Sequence, residues 1–149
     1  MVNFRNATRE DYDKVKLMYD NMKYIGEEDM PIGLRKPLEE EKYEEYVSNE
    51  SVILLEKEGN IIGFSFCFAF EYDDSLCCNL TEMFIEPEWR GRGYCRKFLE
   101  HIKEEATKVN MEKIKVFSEN RVTDRLLPRL GFNSVSYSDE YELILKKQD

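Results

Sequence analysis

No apolar run in these 149 residues approaches the roughly 20 needed to cross a bilayer, so no membrane partner is expected. The N-terminus, MVNFRNATREDYDKV, is charged from Arg5 onward and lacks the apolar core of a signal peptide. Histidine is represented only by His101, and the four cysteines (Cys67, Cys77, Cys78 and Cys95) form no C-x-x-C pair. Zinc-ligand spacing is therefore absent, no metal is expected, and reduced thiols in a cytoplasmic protein are the natural reading. Basic charge is also in short supply. Twenty-two Lys and Arg against 31 Asp and Glu leave a formal charge of −9, which argues against general binding to nucleic-acid phosphates. Internal repeats, low-complexity stretches and long linkers are missing too, so residues 1–149 read as one domain around one core.

Against that acidic background, residues 81 to 96, TEMFIEPEWRGRGYCR, stand out. A strand-like run stops at Pro87, and a basic turn containing Gly91 and Gly93 opens a helix. Arg90, Arg92, Arg96 and Lys97 place four cations between residues 89 and 97 with no acid among them. The first N–H groups of a helix lack intrahelical partners and carry the positive end of its dipole, which suits a pyrophosphate. The segment is not a P-loop, because no Gly-Lys-Ser/Thr follows. Nor is it a dinucleotide fingerprint, since Arg96 stands at the third glycine position.

Arg90-Gly91-Arg92-Gly93-Tyr94-Cys95, following a strand and a proline, resembles the acetyl-CoA-binding motif of the GNAT superfamily of N-acetyltransferases. Cys95 stands where glycine or alanine is usual. FRNATREDYDKV, residues 4 to 15, is similar to the family's opening strand and helix. VFSENRVTDRLLPRLGF, residues 116 to 132, is similar to its second cofactor motif, with Asn120 and Gly131 at the family spacing. Two departures accompany the match. Leu127 replaces a frequent tyrosine, and Pro128 follows it inside a helix, where proline removes a hydrogen bond.

Periodicity predicts the order β-α-α-β-β-β-α-β-α-β-β, which the resemblance implies as well: an α/β, three-layer fold with a mixed, mostly antiparallel central sheet flanked by helices. Thr8 and Asp11 form a capping-box-like start for a helix running to about Tyr24, with Val15, Met18, Tyr19 and Met22 on its core face. A second helix is expected over 38–49. Two β-rich runs flank Lys57-Glu58-Gly59-Asn60, and a third, Leu76 to Ile85, follows Tyr72-Asp73-Asp74-Ser75; both connections read as hairpin turns. The helix from Tyr94 to Val109 sets Cys95, Phe98, Leu99, Ile102, Ala106 and Val109 on one side. The strand 113–118 should lie parallel to the strand ending at Ile85, because a helix connects them.

The resemblance implies acyl transfer from acetyl-CoA, a cosubstrate, to an amine acceptor. Carried over by position, Met83, Phe84 and Ile85 pair with the pantetheine arm. Gly91, Gly93, Tyr94 and Cys95 offer backbone amides to the pyrophosphate, with Arg90, Arg92 and Arg96 beside them. Asn120 fixes the strand splay or touches the cofactor arm. Glu82 is the leading candidate for the base that accepts the amine proton, and Glu119 is the second. With Leu127 at the tyrosine position, Tyr94, Tyr137 or water remain as proton sources for the thiolate. His101 shares the polar face of its helix with Lys97 and Glu105 and reads as solvated. Cys95 is either a thiol activated at a helix start or a small residue tolerated beside phosphate, the second being preferred. The alternative function is an acyl-CoA-binding module with little turnover that acts through a partner. Homodimers are common in the superfamily, and the oligomeric state stays open.

Overall fold

The computed structural model describes residues 1–22, 37–117, 121–135 and 140–145. Its elements are β1 (Val2–Asn6), α1 (Tyr12–Asp20), α2 (Glu40–Ser48), β2 (Val52–Lys57), β3 (Asn60–Tyr72), β4 (Ser75–Ile85), α3 (Tyr94–Lys108), β5 (Lys113–Phe117), α4 (Arg121–Arg129), β6 (Asn133–Ser134) and β7 (Glu140–Ile144). The expected order is observed. Seven strands form one sheet in the order β1-β2-β3-β4-β5-β7-β6. Every neighbouring pair is antiparallel except β4 with β5, where α3 makes the crossover.

The two hairpins close because their central residues adopt positive φ. Glu58 and Gly59 lie at 52° and 81°, and Asp73 and Asp74 at 48° and 63°. Such turns match the right-handed twist of the strands they join. At the N-terminus the Thr8 N–H donates to the Asp11 carboxylate (2.8 Å), which also accepts from Arg5 (2.8 and 2.9 Å). Arg5 reaches Glu56 as well, tying β1, β2 and the entry to α1 together. These acids hold the guanidinium charged, and the Arg5 hydrogen bond outweighs burial to keep the Asp11 carboxyl below its usual value.

Alternation along the strands divides the core between the two sheet faces. On one face Leu54, Phe64, Phe66 and Phe84 meet Val15 and Met18 of α1 and Tyr43 of α2. The buried Tyr43 hydroxyl donates to the Thr8 carbonyl at 2.6 Å. On the other face Ile53, Leu55, Leu80, Ile85 and Ile114 meet Phe98, Leu99, Ile102 and Ala106 of α3 and Leu127 of α4. Burying each such large apolar side chain contributes roughly 1.5–3 kcal/mol, which holds α3 flat against β4.

Three local expectations need correction. Helix α1 ends at Asp20, not near Tyr24, and Val109 lies beyond the last turn of α3 and is 55% exposed. His101 is half-buried and not fully solvated. Its ring stacks on Phe4 of β1 (centroids 4.5 Å apart, planes 10° apart), and burial lowers its pKa against the opposing pull of Glu105 and Glu104. A long-range strand contact supplies what helical periodicity could not reveal.

Candidate active site

The site begins where two parallel strands part. Among the described residues the pairing of β4 with β5 runs from Cys77↔Lys113 to Leu80↔Val116, while β4 continues to Ile85 against β3. A bulge sits at that point. Cys67 faces Leu80 and Phe66 faces Glu82, leaving Thr81 as an extra residue that bends β4. Beyond it, the Glu86 N–H donates to the Ile62 carbonyl on β3 at 2.8 Å. Antiparallel alternation then turns the Phe84 backbone towards β3 and directs the amides and carbonyls of Met83 and Ile85 to the open edge. The Phe84 ring is buried on the α1/α2 face. At Gly63 an added Cβ would lie 2.6 Å from the Phe84 carbonyl oxygen, so this close approach of β3 to β4 requires glycine.

A 3-10 turn, Pro87–Trp89, leads from β4 to the basic loop. Arg90 donates from Nε to the Ile85 carbonyl at 2.7 Å, and its guanidinium lies 5.2 Å from the centre of the Phe84 ring. Arg90 therefore fastens the loop to the strand end. Gly91 and Gly93 follow at φ 76° and 83°, conformations that L side chains rarely adopt. Neither would crowd a Cβ, so the backbone conformation alone selects glycine here. Gly93 is the N-cap of α3, and the first helical hydrogen bond runs from the Lys97 N–H to its carbonyl at 3.1 Å. The amides of Tyr94, Cys95 and Arg96 precede that bond, at the positive end of a 15-residue helix whose first turn holds no acid. The Arg92 guanidinium lies 4.8 Å from the Trp89 ring, and Arg96 is exposed. Lys57 lies 5.2 Å from the same ring and donates to the Tyr94 hydroxyl at 3.2 Å. Among the described residues no carboxylate forms an ion pair with Arg90, Arg92, Arg96 or Lys97.

Helix α3 closes one side of the open edge. Cys95 packs against Met83, Sγ to Sδ 3.5 Å, and burial pushes its thiol up to about 11. An unreactive small side chain fits that environment better than an activated thiol. Glu82 is half-buried on the opposite face, in register with Phe66. That face also carries Glu86, whose carboxylate is paired with Lys14 of α1 at 2.9 Å. Leu127 is fully buried in the α3/α4 core, and Pro128, near the helix end, is exposed. Glu119, Asn120 and Tyr137 lie outside the described residues. Among the described residues no cluster of three or more His, Cys, Asp or Glu could hold a metal ion. A cleft of about 430 Å³, bordered by Phe4, Asn49, Cys67, Ala69 and His101, lies under the far half of α3, away from this edge.

The bulge, the register that singles out Met83 and Ile85, and the clamp from Arg90 escaped sequence reasoning. Each depends on strand pairing, and the basic loop had suggested only that Arg90 faces an anion.

Among the described residues, a strand edge without a partner thus runs into a bare, cationic helix start. Residues 18–132 match the model of the acetyltransferase (GNAT) family, and the chain belongs to that family. Solved structures share the fold. A GNAT-family acetyltransferase from Staphylococcus aureus Mu50 superposes with a TM-score of 0.77 at 15% identity, covering 98% of this chain and 100% of that one. The putative acetyltransferase yncA of Salmonella typhimurium, solved with acetyl-CoA, gives 0.75 at 16% identity, covering 100% and 96%. N-acetylglutamate synthase from Neisseria gonorrhoeae, solved with coenzyme A and N-acetyl-glutamate, gives 0.75 at 18%; 99% of this chain covers 36% of that longer protein. No curated protein matches the sequence.

Proposed function

We propose that this domain transfers the acetyl group of acetyl-CoA to a primary amine of a small molecule or protein, by direct attack. The observation that carries the reading is the open edge of β4 from Thr81 to Ile85, continuous with the uncapped amides at the start of α3. The pantetheine arm, which resembles a peptide, adds to that edge through Met83 and Ile85, with Phe84 completing the segment. Amides from Gly91 to Arg96 hold the pyrophosphate, and Arg92 and Arg96 neutralise it. Asn120 belongs to the same cofactor set by its place in the family motif.

The unprotonated amine attacks the thioester carbonyl carbon, forming the C–N bond and a tetrahedral oxyanion. An N–H on the open edge of β4 stabilises that oxyanion. The nitrogen proton passes to Glu82, or to Glu119 if Glu82 serves only to orient the amine. The C–S bond then breaks and CoA leaves as a thiolate, which takes a proton from Tyr94, Tyr137 or water. Leu127 supplies none, whereas the Tyr94 hydroxyl accepts from Lys57 and keeps its own proton to give. The unbridged cysteines support a cytoplasmic setting.

One observation favours a second reading, an acyl-CoA-binding module with little turnover: the position of the family's frequent tyrosine is filled by a core leucine. Calorimetric titration with acetyl-CoA and CoA, followed by thiol release against an amine panel, decides between them. Binding with turnover supports the enzyme, binding without turnover supports the module, and absence of binding overturns both.

A further inference from the structure

Asn79 occupies β4 two positions before the bulge. Its side-chain oxygen is closed to solvent and has no hydrogen-bond donor, alone in this among the side-chain nitrogens and oxygens of the described residues. Buried amides are almost always partnered, so an orphan in the middle of a sheet calls for a reason. Its surroundings supply one. Asn79 is in register with Phe68 on β3 and Lys115 on β5, and residues in register project from the same face. The Phe66–Glu82 pair lies on that face one row further along, past Thr81. Helix α3 occupies the other face, with Cys95 against Met83. An amine therefore approaches the open edge from the face that carries both Glu82 and Asn79. Tyr19, stacked on Phe66, and Tyr46, edge-on to Phe66 and Phe68, flank this approach on the α1/α2 side. The ion pairs Lys115–Glu140 (3.4 Å) and Lys113–Glu142 (3.7 Å) flank it on the β7 side.

We infer that Asn79 is a specificity-determining residue of the acceptor site, whose amide carbonyl receives an N–H or O–H carried by the acceptor in addition to its reacting amine. The inference rests on the acetyltransferase reading above. Asn79 and Glu82 are separated by roughly 10 Å or less of bulged strand. The acceptor is thus an elongated amine with a second donor several atoms from the nitrogen, such as an amino alcohol or a diamine. A side-chain amide reads that group well. A site built around such a bond discriminates strongly against an analogue that lacks it, because the protein's own polar group is then left unpaired.

The test compares 5-amino-1-pentanol with hexylamine, nearly isosteric amines differing in a hydroxyl for a methyl, by CoA release from the full chain. The wild-type protein should favour the amino alcohol by about tenfold or more in kcat/KM. In Asn79→Leu that preference should vanish through a higher KM for the amino alcohol, with acetyl-CoA affinity unchanged. The melting temperature of Asn79→Leu should hold or rise, since a buried carbonyl without a partner has been removed. An intact preference in Asn79→Leu would overturn the inference. So would a marked fall in melting temperature, which would reveal a partner within the protein. Turnover of neither amine by a protein that binds acetyl-CoA would overturn it too, leaving the cofactor reading in place. Failure to bind acetyl-CoA would strike that reading instead.

Discussion

Cys95 Sγ lies 3.5 Å from Met83 Sδ, so the first turn of α3 and the open edge of β4 are held in register by two sulfurs. The contact sets the distance between the surface that would hold a pyrophosphate and the edge that would hold the arm attached to it. Glycine or alanine, usual at the position of Cys95, would leave the Met83 side chain less firmly packed.

That burial sets the reactivity of Cys95. A thiol near 11 rather than 9 holds about a hundredth of the thiolate at neutral pH. Iodoacetamide should label Cys95 slowly at pH 7.5 and increasingly as the pH approaches 11, as peptide mass spectrometry would show. The stability contributed by the neutral thiol is fully present below 9 and is lost as pH rises from 9 towards 11. Rapid labelling at neutral pH would mean that the arginines, not burial, govern the thiol.

Gly93→Asp should weaken acetyl-CoA binding at least about tenfold by placing a carboxylate at the helix start. Gly93→Ala separates charge from conformation. It meets nothing within 4 Å but must hold φ near 83°, so its cost should be about 1–2 kcal/mol of stability with a smaller loss of affinity. Titration calorimetry and thermal melts distinguish the two variants, and equal affinities throughout would move the phosphate site elsewhere.

Glu82→Gln keeps the shape of the side chain and removes its basicity. The expected result is a fall in kcat of ~10²-fold or more, the loss of one ionisation from the pH profile, and unchanged acetyl-CoA affinity. A variant with full activity would pass the base role to Glu119.

Leu127→Tyr should not recover a general acid. The leucine is fully buried, so a phenol there adds volume and an unpaired hydroxyl, costing about 1–3 kcal/mol. Thermal melts and turnover measured together check this; higher activity at an unchanged melting temperature would contradict it.

Asp11→Asn should destabilise the protein at neutral pH and matter less in acid. The Asp11 carboxyl lies below its ordinary 3.8 chiefly because Arg5 donates to it. Its contribution is therefore present above that value and lost as pH falls through the depressed one. The melting temperatures of wild type and variant should converge as the pH is lowered towards 2.

Much of the fold was legible because its signals are local. Glu58-Gly59 and Asp73-Asp74 announce their turns, and the apolar stripe of Phe98, Leu99, Ile102 and Ala106 announces α3. Gly91 and Gly93 marked the loop for the same reason, since positive φ is written into the residue type. What stayed hidden depends on partners distant in sequence. The ring of Phe4 covers one face of His101, and the Ile85 carbonyl holds Nε of Arg90, contacts that no local pattern announces. The orphaned oxygen of Asn79 becomes visible only when both neighbouring strands are in place.

The brief parallel seam between β4 and β5, four residue pairs long, has a mechanical consequence. It joins a four-stranded block, β1 to β4, to a smaller block of β5, β7 and β6. Smaller blocks open more readily, so amides of β5 and β7 should exchange with deuterium faster than those of β2 and β3. A molecule wedged beyond Leu80 would tie the blocks together and slow exchange in β5 and β7 more than elsewhere. The protein would then be stiffest when loaded, and release of spent CoA would be the step at which its two halves regain their freedom.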